Sequence, residues 1–148
     1  MKQVKTCVTT LVIGKDYQAA FDQFCRSRLE RYCARHGYDL KILTSAIRDL
    51  PEKKLTWQKI LIPELSWWQD YDQICVMDAD IIVSSDAPAL PIIPADLIGC
   101  VPDKLPEQIN SGVLIYAPGQ AVADCFAETL KDPEPYWDQR ALSKVMRA

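Results

Sequence analysis

The chain has 148 residues, 49% of them hydrophobic and 25% charged, with a net charge of −3, which suits one domain with a substantial core and is too short for two of ordinary size. Residues 1–70 hold 12 Lys/Arg against 8 Asp/Glu and residues 71–148 hold 5 against 12, and no basic cluster of the kind that grips nucleic acid appears, which argues against such a partner. The apolar run at residues 7–13 is too short for a membrane span and lacks a signal-peptide cleavage pattern, while cysteines at 7, 25, 33, 75, 100 and 125 form no CxxC pair and read as small reduced core residues, so the expectation is a soluble, cytoplasmic chain.

Residues 4–13 read as a first strand, with Thr9, Thr10 and Gly14 at or near its end. Residues 16–36 carry apolar side chains at 20, 21, 24, 25, 29, 32 and 33, the spacing of one helix face, and Gly37 closes that helix. Residues 38–43 form a second strand, completing a βαβ opening of the kind that builds a parallel sheet with helices packed on it. Residues 55–70, with Trp57, Ile60, Leu61, Leu65, Trp67 and Trp68, predict a helix kinked at Pro63, where a backbone donor is missing. Three prolines in residues 87–94 exclude regular helix and central strand there, leaving a loop over a sheet edge. Residues 97–101 and 109–116 predict strands, and residues 119–131 and 137–146 repeat helical spacing. The whole predicts an α/β domain over residues 1–148, an open, mostly parallel sheet with helices on both faces, which binds ligands beyond the carboxyl ends of its strands.

Between these elements lies Ile74-Cys75-Val76-Met77-Asp78-Ala79-Asp80-Ile81-Ile82-Val83. It reads as a strand buried on both faces and interrupted by two carboxylates. In extended backbone residues i and i+2 point the same way, so Asp78 and Asp80 converge on one point. Two ionised carboxylates so placed repel, and a divalent cation is the economical relief. The renewed apolar run Ile81-Ile82-Val83 argues that the acids interrupt the strand rather than end it. A calcium loop starting at Asp78 fails, because its sixth position is Val83 and its twelfth Ala89. Neither GxGxxG nor GxxxxGKS occurs, and the one histidine, His36, lies at a helix end where it caps carbonyls, so dinucleotide, P-loop and serine-triad chemistries lack support.

With these residues placed, the chain resembles a glycosyltransferase of the GT-A fold, most closely the glycogenin-like, family 8 type that uses nucleotide-diphosphate sugars. The resemblance rests on Val8-Thr9-Thr10 with Tyr17 downstream, Leu55-Thr56-Trp57-Gln58-Lys59-Ile60, Met77-Asp78-Ala79-Asp80, Ile109-Asn110-Ser111-Gly112-Val113 and Trp137-Asp138-Gln139-Arg140-Ala141-Leu142, all in family order. It implies that Val8, Thr9 and Thr10 line a nucleobase pocket with Tyr17 stacking on the base, and that Lys59 reaches the phosphate or ribose. It implies that Asp80 binds Mn2+ or Mg2+ directly, that Asp78 binds the metal or the ribose, and that Ala79 lies against the donor. Asn110 and Ser111 would hold the donor sugar or the acceptor, and Gly112 would let the backbone approach closely. Asp138 and Gln139 would face the reacting carbon, stabilising an oxocarbenium-like transition state or acting as nucleophile. The implied reaction moves a hexose from a nucleotide-diphosphate sugar, of UDP type, to a hydroxyl of a glycan, lipid or protein, with retention.

Two departures qualify that resemblance. Family members continue to a histidine that completes the metal site and to a Gly-Lys-Pro-Trp-type segment, whereas this chain stops at Ala148, and Pro135 stands where the pattern has an acid. Either the chain is a fragment or minimal version, its missing ligand supplied by water or by another subunit of a homo-oligomer, or it binds nucleotide sugar without turnover. A third reading, a haloacid dehalogenase-type phosphatase with Asp78 as nucleophile, is weaker because that motif sits on an early strand and no paired acids follow at Asp96 or Asp103.

Overall fold

A computed structural model describes residues 4–105 and 107–147. Its centre is a five-stranded sheet in the order β2-β1-β3-β5-β4, formed by β1 (Thr6–Leu11), β2 (Asp39–Leu43), β3 (Gln73–Met77), β4 (Ile98–Pro102) and β5 (Ile109–Tyr116). β1 pairs parallel with both β2 and β3, and β5 then runs antiparallel to β3 and to β4. The open α/β sheet with flanking helices is the one the βα alternation predicts, with its parallel strands at the β1 end. The reversal at β5 has a consequence for the site. It brings the start of β5 to the same edge as the end of β3, where Met77 pairs with Val113 and the Asp78 amide donates to the Gly112 carbonyl at 2.8 Å.

Strand alternation sorts the core onto two faces. Cys7, Ile74, Val76, Leu114 and Tyr116 pack on one side against Trp57, Ile60, Phe126 and Leu142. Val8, Cys75, Met77 and Ile115 pack on the other against Phe21, Leu29, Tyr32 and Cys33. The second face is covered by α1 (Lys15–Phe24) and α2 (Arg26–His36), the first by α3 (Gln120–Leu130), α4 (Asp138–Val145) and a 3-10 helix at Leu55–Glu64. All six cysteines are free thiols. Burial pushes Cys7 up to about 12 and Cys33 to about 11, which leaves both as inert core groups.

Three elements differ from the sequence pattern. The helix expected over residues 16–36 breaks at Cys25 into α1 and α2 without a proline or glycine to mark it, and Gly37 closes α2 in the left-handed region at φ 70°. The segment expected as a kinked helix over residues 55–70 is a 3-10 helix ending at Glu64 and a short second one at Trp68–Asp70. Six successive side chains from Trp57 to Ile62 are buried, so no solvent face exists to set a 3.6-residue period. The third difference concerns the acids. β3 ends at Met77, and Asp78, Ala79 and Asp80 enter a turn closed by the Ile81 amide donating to the Asp78 carbonyl at 3.2 Å. Ile81, Ile82 and Val83 continue as coil. The strand is therefore ended, not interrupted, and the i, i+2 rule for extended chain does not place Asp78 and Asp80; the turn does.

Candidate active site

The turn after β3, the start of β5 and the 3-10 helix meet at the carboxyl edge of β1 and β3. Lys59, on the 3-10 helix, is only 5% exposed. Its ammonium donates to Asp78 Oδ1 at 2.6 Å, to the Ser111 carbonyl at 3.1 Å and to Ser111 Oγ at 3.4 Å, and lies 3.7 Å from Asp138 Oδ2. Ser111 Oγ in turn donates to Asp138 Oδ2 at 2.8 Å. Asp138, at the first turn of α4 where the helix dipole favours an anion, has a side chain 7% exposed. The unit is a buried cation held by one buried and one half-buried carboxylate and a serine, each satisfying the others.

Charge is not balanced there. Asp78 and Asp138 share the Lys59 ammonium and the Asp80 charge bears on Asp78, so three carboxylates stand against the buried Lys59 and the Lys54 side chain that also lines the cleft. Burial above all, together with the charges of Asp138 and Asp80, pushes the Asp78 carboxyl above the usual aspartate range in spite of the Lys59 bond. A further positive charge at this point would relieve both effects. The donor set suits one class of cation. Asp78 Oδ2 and the exposed Asp80 carboxylate carry no hydrogen bond or ion pair among the described residues. Two carboxylates with open positions match a hard magnesium- or manganese-like ion, which keeps water and phosphate oxygens in the rest of its shell. No group of three or more His, Cys, Asp or Glu side chains that could hold a metal occurs among the described residues, so the protein alone would supply only part of such a shell.

A cleft of about 520 Å³ opens above this unit, lined by Leu11, Ile13, Tyr17, Lys54, Leu55, Thr56, Lys59, Asp78, Ala79, Asp80, Tyr136 and Trp137. Its rim is aromatic and exposed, with Tyr17 at 68% and Trp137 at 61%. The wall carrying Tyr136 and Trp137 is stitched to the opposite segment. Lys53 Nζ donates to the Asp132 carbonyl at 2.6 Å and the Glu134 carbonyl at 3.2 Å, and the Lys54 amide donates to the Pro135 carbonyl at 2.9 Å. Lys144 on α4 bonds Asp132 Oδ2 at 2.9 Å, and that bond together with the Glu134 amide holds the Asp132 carboxyl below its usual range.

The residues singled out in the sequence fall into three groups. Tyr17, Lys59, Asp78, Ala79 and Asp80 line the cleft, and Ser111 and Asp138 lie directly behind it on Lys59. Val8, Thr9 and Thr10 do not reach it. They are fully buried within β1, and Leu11 and Ile13, farther along the chain, line the cleft instead. Lys59 directs its bonds at protein oxygens, and Asp138 faces Ser111 and Lys59, not the cleft. Asn110 Oδ1 accepts from the Gly112 amide at 2.8 Å, and a Cβ at Gly112 would lie 2.8 Å from that oxygen and 3.3 Å from Asp78 Oδ2, so a side chain at this point of β5 would force the Asn110 amide to move and crowd Asp78. Gln139 donates to Asp103 Oδ2 at 3.1 Å, tying α4 to the β4–β5 connection. Lys54, Leu55, Tyr136 and Trp137 lacked any assigned role in the sequence. The signal was available in Trp137, an apolar side chain one residue before an acid at a helix start.

No family model and no curated protein matches the sequence. Among solved structures the chain is similar to the crystal structure of a glycosyltransferase involved in the glycosylation of the major capsid of PBCV-1. The TM-score is 0.65 at 17% identity, over 92% of this chain and 73% of that one. The chain shares the fold of that glycosyltransferase, and no helix among its described residues is long and apolar enough to cross a membrane.

Proposed function

We propose that the chain is a metal-dependent glycosyltransferase of the GT-A, glycogenin-like type that moves a hexose from a nucleotide-diphosphate sugar, UDP-linked, to an acceptor hydroxyl. The observation that carries this reading is the excess of carboxylate over ammonium at the base of an aromatic-rimmed cleft, on a fold shared with a glycosyltransferase. Asp80 and Asp78 would hold Mn2+ or Mg2+, which when bound neutralises charge on a diphosphate. Tyr17 offers its exposed ring to the base. Lys59 fixes the Asp78 carboxylate in place through a bond that costs no reorganisation when the donor arrives. In the transfer the bond from the anomeric carbon to the diphosphate oxygen breaks and its electron pair leaves on the nucleotide, while the acceptor oxygen makes the new bond on the same face and gives up its proton to the departing diphosphate oxygen. Asp138 contributes negative potential and holds Lys59, in keeping with its bonds to Ser111 and Lys59.

Calorimetric titration of the chain with UDP in manganese tests this reading. The expected result is binding in about the micromolar to millimolar range typical of enzyme ligands, absent without the metal and absent in Asp80→Ala. Titrations that show no heat, or heat unchanged by that substitution, would contradict it. The sequestration of Asp138 favours one second reading, a domain that binds nucleotide sugar without turning it over. Steady metal-dependent hydrolysis of UDP-glucose by the purified chain would remove that alternative.

A further inference from the structure

Away from the cleft, α2 presents Arg28, Arg31 and Arg35 at intervals of three and four residues, which places all three along one stripe. With Tyr32 and the chain at Val83, Ser84 and Ser85 they line a concave cavity of about 350 Å³. The three cations are not equivalent. Arg35 is committed to the fold, donating to the Ser85 carbonyl and, at 2.7 Å, to the Ala87 carbonyl. Arg28 and Arg31 are exposed and their guanidinium groups have no hydrogen bond or ion pair among the described residues. The acids of α1 and α2 that could neutralise them are engaged elsewhere, Asp22 at 2.6 Å and Glu30 at 3.8 Å from Arg26. Beside the cavity-lining Ser85 lies Asp86, which accepts from Ser84 Oγ and feels the charge of Arg35. Three guanidinium groups against one carboxylate leave an excess of two positive charges.

Unneutralised arginines three and four residues apart repel and weaken a helix. This chain retains them in a hollow although it is acidic overall. Guanidinium is the group whose planar fork matches a phosphate, and two such forks with the Ser85 hydroxyl beside them supply more donors than a carboxylate ligand could use. The hollow is concave and of the size of a small-molecule site, which fits a compact ligand better than a flat anionic surface.

We infer that the α2 hollow is a binding site for a phosphate dianion, either inorganic phosphate or the monoester of a small phosphorylated sugar, held by Arg28 and Arg31 with Arg35 fixing the wall. The inference does not depend on the reading of the cleft. Calorimetric titration of the full chain with inorganic phosphate, without divalent metal, tests it, with hexose 6-phosphate as a parallel arm. Wild type binds, Arg28→Gln/Arg31→Gln loses at least about tenfold in affinity, as removal of charge-assisted bonds requires, and Asp80→Ala binds like wild type. Tighter binding of the hexose phosphate assigns the sugar phosphate as ligand, and equal binding assigns phosphate alone. Because both arginines are exposed, the double variant folds as wild type, which its circular dichroism checks; Arg28→Lys/Arg31→Lys, which keeps the charge and loses the fork, gives an intermediate affinity. Absence of wild-type binding up to about 10 mM, a level weaker than any useful affinity, would overturn the inference. So would binding that survives Arg28→Gln/Arg31→Gln or disappears in Asp80→Ala.

Discussion

In the cleft at the carboxyl edge of the sheet the charged groups are buried against one another: Lys59 reaches Asp78, Ser111 and Asp138, and Asp138 is capped by Ser111. In the hollow on α2 the sign is reversed and so is the manner of support, since Arg28 and Arg31 stand in solvent with no hydrogen bond or ion pair among the described residues while Arg35 is built into the wall. The two regions differ in the sign of their charge, one short of positive charge and one short of negative. They also teach that equal formal charges carry unequal structural weight. A buried ion depends on its partners for stability, whereas an exposed one can be removed at little cost.

Four variants sharpen or break that contrast. Lys59→Met should be the most damaging, because it leaves Asp138 buried without a counter-charge. The expected loss is roughly 3–5 kcal/mol, or about 10 °C in melting temperature, read by chemical and thermal denaturation. Gly112→Ala should cost about 1–3 kcal/mol, the range of a forced fit, because the added methyl meets Asn110 Oδ1 and presses on Asp78 Oδ2; the same variant should weaken manganese binding in a titration. Asp132→Asn should cost about 1 kcal/mol near neutral pH, through the bonds to Lys144 and to the Glu134 amide. The carboxyl is held below its ordinary 3.8, so its contribution is complete above that value and disappears as the pH falls through the lowered one. Denaturation of both proteins from neutral to acid pH should accordingly show the difference closing. Arg28→Gln/Arg31→Gln should change stability by no more than about 0.5 kcal/mol, as for exposed groups without partners. A large loss there would dissolve the distinction between the two regions.

Much of this architecture was legible in residue patterns, and the failures have physical causes. β1, β2 and β5 announce themselves by apolar runs between turn residues, and the βαβ opening follows from one long apolar stripe. The polarity of β5 does not follow, because a strand buried on both faces reads the same in either direction. That reversal is what carries Ser111 and Gly112 to the edge where Asp78 lies. Asp78 and Asp80 could be picked out because their charge is out of place among apolar neighbours, whereas Lys59 stood out only through the motif that carries the family resemblance. Thr9 and Thr10 could not be placed correctly, since a buried threonine on a central strand and one at a pocket mouth have the same neighbours in sequence. The 3-10 form of Leu55–Glu64 was hidden for a related reason: full burial erases periodicity.

The most direct measurement is a crystal structure of the chain soaked with manganese and a UDP-sugar, with data collected at the manganese absorption edge. The account predicts an anomalous peak against Asp78 and Asp80, diphosphate density beside it in the cleft, and the base against Tyr17. An empty cleft with both carboxylates turned to solvent, or manganese bound elsewhere, would contradict it.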